Sequence, residues 1–243
     1  MDSKFTYFDF IAYIVPGTLL LGILSLVFNS KVVFTISDNT AIDTLLFLVI
    51  SFVLGGLIHQ ASRYLVEPIV KHLFWKGKAY SEIYLVKKHG ICRNPVRIQI
   101  LANAAALFQF DKNSLDSLDC DSVSAGSPDP YIVSHQIFRR FDHFTLDHGL
   151  AKKGHTANAL YSLYRTMTLT ILIVGILFAA SFHWNTPMLN SVAKAILTVS
   201  SFLGVILFLM RTRNEGQRYV EGVLQAIPNE KILTEGKSGD QSL

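Results

Sequence analysis

The sequence predicts an all-α integral membrane protein: four membrane-spanning helices with a helical cytosolic segment between the second and third. Three observations carry that prediction. Half of the 243 residues are hydrophobic and only 16% are charged, too apolar a balance for a soluble domain of this length. Four stretches lack charge over about the 20 helical residues needed to cross a hydrocarbon core of about 30 Å. Lys and Arg collect on one side of those stretches, as cytosolic flanks do.

The first span covers residues 10–28 (FIAYIVPGTLLLGILSLVF) and the second residues 44–62 (TLLFLVISFVLGGLIHQAS), each bounded by charge. Asp2, Lys4 and Asp9 precede the first span where a signal peptide would have a basic region. Residues 25–30 lack a small-x-small cleavage pattern, so the span is expected to be retained. The third span covers residues 166–182 and the fourth residues 188–210, with Lys194 near its start. A lysine about one turn inside a helix end can snorkel to the headgroups.

Orientation follows from the flanks. Arg63, Lys71, Lys76 and Lys78 follow the second span, Arg139, Arg140, Lys152, Lys153 and Arg165 precede the third, and Arg211, Arg213 and Arg218 follow the fourth. The loop 29–42 holds only Lys31, and residues 183–187 hold neither Lys nor Arg. Both termini are therefore expected in the cytosol. Trp184 and Tyr7 suit the two interfaces. The formal charge of +4 fits these flanks, and no nucleic-acid-binding motif accompanies it. Cys92 and Cys120 are too few for a disulfide framework and read as reduced cytosolic thiols.

The chain divides into an N-terminal transmembrane hairpin (1–62), a cytosolic segment (63–165), a C-terminal hairpin (166–210) and a cytosolic tail (211–243). Helix two is expected to continue past the membrane, tolerate Pro68 and end near Gly77. Residues 81–89 form a short turn-rich amphipathic stretch closed by Gly90. Asn94, as an N-cap before Pro95, opens a helix to about Phe110. The acidic, serine-rich run at 111–129 has the composition of an exposed loop or linker. Asp129 and Pro130 restart a helix, while Gly149 and Gly154 are expected breaks before the helix that enters the third span. The chain after about Pro228 is polar and expected to be disordered.

In the restarted helix, Val133, Ile137, Phe138, Phe141 and Phe144 recur at three- and four-residue spacing. They make one apolar face, for the preceding helix or for a soluble cytosolic partner. His143, Asp147 and His148 are weak metal-ligand candidates, because His143 and Asp147 share a face at i, i+4. They match no tighter zinc signature such as His-Glu-x-x-His, the sequence names no third ligand, and no cofactor is expected. Pro16, Gly17, Gly55 and Gly56 are candidates for tight helix packing or gating. Ser51 with Gly55, Gly175 with Ala179 and Ser200 with Gly204 would let helices approach within the bundle or between subunits of a homo-oligomer. His59, near the cytosolic end of span two, reads as interfacial. The spans carry no Asp, Glu or Arg deep inside them, which argues against ion-coupled transport but leaves an oligomeric pore open.

The run YFDFIAYIVPGTLLL, with its aromatic-Asp-x-x-Ala-Tyr-x-x-Pro-Gly pattern from Phe8 to Gly17, resembles the opening of a loosely defined group of small bacterial multi-pass membrane proteins. Tyr164-Arg165-Thr166-Met167 and Arg218-Tyr219-Val220-Glu221 are similar to stretches flanking later spans in that group. The resemblance implies a bacterial inner-membrane protein, a possible place in antiphage defence, and no catalytic residues. The expected function is a non-enzymatic, oligomeric membrane anchor or effector for a cytosolic partner or signal. The alternatives are an oligomeric channel or transporter, and a membrane-associated metal-dependent hydrolase.

Overall fold

The computed structural model describes residues 7–28, 40–119, 128–183 and 189–227, and among these every regular element is helical. The α-helices are α1 (Tyr7–Phe28), α2 (Thr40–Trp75), α3 (Tyr80–Ile83), α4 (Asn94–Phe108), α5 (Lys112–Ser117), α6 (Pro130–Asp147), α7 (Lys152–Ala180) and α8 (Ser191–Leu224). Four of them, α1, α2, α7 and α8, are long and apolar enough to cross a membrane, the architecture of a multi-pass membrane protein. Trp184, Cys120 and the chain beyond residue 227 lie outside the described residues.

The chain forms two compact units, Met1–Val70 with Ala159–Glu215, and Lys71–Asn158 with Gly216–Leu243. Helices α2, α7 and α8 each contribute residues to both. The end of α8 therefore belongs to the second unit, where a separate tail was expected from residue 211.

In the first unit, α1 and α2 meet backbone to backbone. A methyl group on Gly17 would fall inside the van der Waals radius of Ser51's carbonyl oxygen, and one on Gly55 inside that of Tyr13's. No residue but glycine fits that approach. The Tyr13 ring stands edge-on to Phe52 at 5.4 Å just beside it. Between α7 and α8, Gly175 faces the Ser201 side chain and Gly204 faces Ile171. Thr166, Thr170, Val174 and Phe178 form a buried row along α7 at four-residue spacing. The two threonine hydroxyls on that row donate to the carbonyls of Ser162 and Thr166 within their own helix, so their burial leaves no donor unpaired.

Lys194 departs from expectation. It is buried, and Nζ donates to Ser181's carbonyl oxygen at 2.7 Å, at the C-terminal end of the α7 helical run. Helix-end carbonyls lack intrahelical partners and carry partial negative charge, which draws a lysine there rather than outward.

The second unit has its own core. On α6, Val133, Ile137, Phe141 and Thr145 form one buried row, with Ser134 and Phe138 beside it. Phe108 of α4 stands edge-on to Phe141 at 5.3 Å, and Tyr219 of α8 edge-on to Phe138 at 5.3 Å. Leu85, Ile100, Ala104, Leu118, Val223 and Ile227 complete it. The backbones of Gly154 and Gly222 are close enough that a side chain on Gly222 would press on Gly154.

Several boundaries moved. Arg93, not Asn94, is the N-cap of α4, with no side-chain cap bond, and Pro95 falls within the first turn. The helix stops at Phe108, where Gln109 takes a left-handed conformation. The acidic stretch is not all loop: Asp111 accepts from the Ser114 amide and caps α5. Leu118 is fully buried, its carbonyl accepts from the Lys87 amide, and Asp119 pairs with Arg97 at 2.8 Å. One buried leucine and one ion pair anchor a segment whose average composition is that of a linker. Residues 120–127 lie outside the described residues. Gly149 is a break with φ of 63°, but Gly154 sits inside α7, where its missing side chain serves packing rather than termination. The end of α2 at Trp75, before Gly77, and the Asp129–Pro130 start of α6 agree with the sequence reading; Asp129 accepts from the Tyr131 amide.

Candidate functional site

The most elaborate polar arrangement of the first unit lies where α2 and α7 leave their uncharged stretches. Arg165 is only 4% exposed. Its Nε donates to Ser62 Oγ at 3.1 Å and its NH1 to Glu67 Oε2 at 3.0 Å. The Tyr161 ring lies 5.5 Å from the guanidinium carbon. Ser62 in turn donates to His59's carbonyl oxygen at 2.7 Å. One turn along α2, His59 Nδ1 and Thr166 Oγ1 lie 3.0 Å apart, and the Tyr13 ring of α1 meets the imidazole edge-on at 5.0 Å. A single chain of polar contacts thus ties α1, α2 and α7 together.

Local sequence explains the arrangement. Ser62, Val66 and Val70 are buried at four-residue spacing on α2, so that face is turned inward, and Glu67 stands at its edge with a quarter of its side chain exposed. On α7, Thr166 begins the buried row and Arg165, next to it, is buried as well. A buried guanidinium is tolerable only when paired and hydrogen-bonded, and Glu67 with Ser62 meets that condition. The planar fork serves both acceptors at once, which a lysine could not do.

The chemistry of this group is structural. Ser62 gives its proton to a carbonyl and does not face the imidazole ring, so Ser62 and His59 do not form a nucleophile and base. Arg165 and Glu67 neutralise one another. The group can hold three helices in register, and a change in either partner would be felt on both α2 and α7.

The second unit has a matching set of joints at the end of α8. Tyr80 donates to Glu221 Oε1 at 2.9 Å, Gln225 donates to the Tyr84 hydroxyl at 3.0 Å, and Asn103 donates to Ile227's carbonyl oxygen at 3.2 Å. Burial, reinforced by the neighbouring Cys92 thiol, holds the Tyr84 phenol above its ordinary range. Burial also pushes the Cys92 thiol up. His135, 3.0 Å from Ser81 Oγ, is pushed below its ordinary value by burial; Glu82 opposes this, and Arg139 and Lys71 add to it.

The residues singled out from the sequence are placed as follows. His143, Asp147 and His148 are all exposed; His148 turns back onto the Phe144 ring at 4.1 Å and its Nδ1 lies 2.9 Å from Phe144's carbonyl oxygen. Among the described residues no three of His, Cys, Asp and Glu converge as a metal requires. Val133, Ile137, Phe138 and Phe141 are buried in the unit's own core, and Phe144 is partly covered by Phe108 at 6.0 Å. They present no free apolar face in this conformation, because α4, α3 and the end of α8 already cover it. Pro16 is buried beside Gly17, Gly55 packs on α1, and a Cβ on Gly56 would meet no neighbouring element among the described residues within 4 Å.

Sequence reasoning missed the Arg165–Glu67 pair by counting Arg165 as a surface flank. The available signal was Glu67, an acid one turn from Arg63 and from Lys71 in an otherwise basic flank. In comparisons with protein-family models, curated proteins and solved structures, the chain matches none.

Proposed function

We propose that the protein is a non-enzymatic inner-membrane effector: its four long apolar helices span the bilayer, and the second unit, on the cytosolic side with both termini, receives a soluble partner or signal. The observation that carries this reading is the continuity of α2, α7 and α8, each of which supplies residues to both units. The three shared helices tether the second unit to the spans; Pro68 in α2 lacks the N–H of one ladder bond, so the reading rests on that tether and not on helix stiffness. The buried ion pair between α2 and α7 supports it: the pair stiffens two of these helices where charge first follows the apolar stretch, and offers no nucleophile. The basic flanks support the orientation. The N-terminal resemblance supports a bacterial setting and a role in antiphage defence.

The partner surface is the outward side of the second unit, since the inward side of α6 is occupied. Exposed Ile132, Gln136, Arg139, His143 and Leu146 follow one another along α6, and Gln136, Arg139, Arg140 and His143 line an open hollow of about 350 Å³. Purification from the native membrane in mild detergent tests the reading. A stoichiometric soluble protein, lost on Ile132→Glu with Arg139→Glu while the chain stays inserted and folded, is the expected result. A chain that purifies alone and drives ion flux in liposomes above empty-vesicle background would overturn it in favour of a channel. Labelling of Lys88→Cys from the periplasmic side would overturn the orientation.

A further inference from the structure

Two consecutive glycines on α2 face different surroundings. Gly55 is pressed against the α1 backbone, while Gly56, about 100° further around the helix, meets no neighbouring element among the described residues within 4 Å of the position a side chain would take. One turn on from Gly56 stands Gln60, exposed, its amide without a partner among the described residues. Exposed Val49 and Val53 precede them on the same face, which reads Val49, Val53, Gly56, Gln60 at steps of four, three and four. An apolar hollow of about 390 Å³, lined by Phe10, Ile14, Leu48, Val49 and Phe52, opens beside Val49.

Gln60 lies one turn inside Arg63 and about 10 Å along the helix from Glu67, within the uncharged stretch. Gln60 follows the interfacial His59, so headgroups and water compete for its outward amide, and a partner that excludes them must supply both a donor and an acceptor. An amide is both donor and acceptor. The same amide from an identical helix, related by a two-fold axis along the membrane normal, satisfies both needs. The open space at Gly56 permits the close approach that such a pair requires.

We propose that α2 is the subunit interface of a homodimer, with Gly56 at the helix crossing, Gln60 paired with its counterpart across the axis, and Val49 and Val53 packed in the seam. This rests on the reading of α2 as a membrane span, and names the subunit contact of that effector.

Gly56→Leu separates this role from folding, because the position of the added Cβ is open among the described residues. The experiment is oxidative cross-linking in native membranes, in a Cys92→Ala, Cys120→Ser background, with single cysteines at Val53, Gly56, Gln60 or the exposed α8 residue Leu207. Dimers at 53, 56 and 60 but not at 207 are expected. In detergent, Gln60→Leu should weaken association about threefold to thirtyfold, and Gly56→Leu should abolish it with helicity and monomer melting unchanged. Equal cross-linking at 207, or none at all, would show that lipid covers this face and would overturn the proposal. Soluble-partner recovery is scored in the same preparations: its survival without a dimer sinks the interface alone. Rapid labelling of Val53→Cys, in the middle of the span, by a water-soluble maleimide in intact membranes would sink the span reading together with the interface.

Discussion

Replacing Glu67 by Gln keeps the side chain's shape and removes the charge that Arg165 depends on. The guanidinium then remains 4% exposed with a neutral acceptor. Two unit charges about 4 Å apart at an effective dielectric of about 20 attract by about 4 kcal/mol. A quarter of the Glu67 side chain is open to solvent, which screens part of this, so about 2–3 kcal/mol is expected for the single change. Arg165→Met should cost a similar amount by removing the guanidinium from Glu67 and from Ser62 Oγ. Removing both charges together leaves no uncompensated ion, so Glu67→Gln with Arg165→Met should cost well under the sum. Unfolding of the purified chain in mixed micelles measures all four corners of the cycle. For a chain of this size each kcal/mol corresponds to about 2–4 °C in Tm. The singles should thus melt about 4–12 °C lower. A coupling energy within about 0.5 kcal/mol of zero is what independent, distant sites give. That result would refute the claim that the pair ties α2 to α7.

Four further outcomes follow. Gly17→Ala and Gly55→Ala each drive a methyl group into a backbone carbonyl of the facing helix; both should lower the melting point of the four-helix unit sharply, as overpacking against backbone costs at least about 1–3 kcal/mol. Phe141→Ala should cost about 3–5 kcal/mol in the second unit, read as faster proteolysis within residues 71–158 while the long apolar helices of the first unit remain protected. His135 has its folded value held below the ordinary 6.5 by burial. Below that pH the unfolded chain takes a proton more readily than the folded one, so this stabilising contribution is present above about pH 6.5 and lost as pH falls; His135→Asn should flatten the acid side of the melting profile. Cys92 is buried with its thiol raised, so at neutral pH it should react with maleimide only after denaturant is added.

The number and place of the long apolar helices were legible in the sequence because a hydrocarbon core imposes a length and excludes charge, and both constraints act on consecutive residues. The same locality made the end of α2, the Asp129–Pro130 start of α6 and the Gly149 break readable: caps and left-handed turns are settled by one or two side chains. The periodicity on α6 correctly marked an apolar face at Val133, Ile137, Phe138 and Phe141, but period alone does not say what covers a face. The tertiary structure decided that α4, α3 and the end of α8 cover it, which moves the candidate partner surface to the opposite side of the helix.

Long-range pairing of polar groups could not be read locally. Arg165 and Glu67 are 98 residues apart, and a charge at the edge of an apolar stretch looks the same whether it reaches for headgroups or for a carboxylate. Lys194 illustrates the same ambiguity, since only the position of Ser181's carbonyl made it turn inward. Leu118 and Asp119, inside a run with the composition of a linker, are held by Arg97 and the Lys87 amide, partners that composition cannot reveal. Glycine carries the clearest division: the sequence by itself determined that Gly55 and Gly56 could permit close approach. The tertiary structure alone decided that one is already filled by α1 and the other stands open, because a missing side chain has meaning only through what occupies its place.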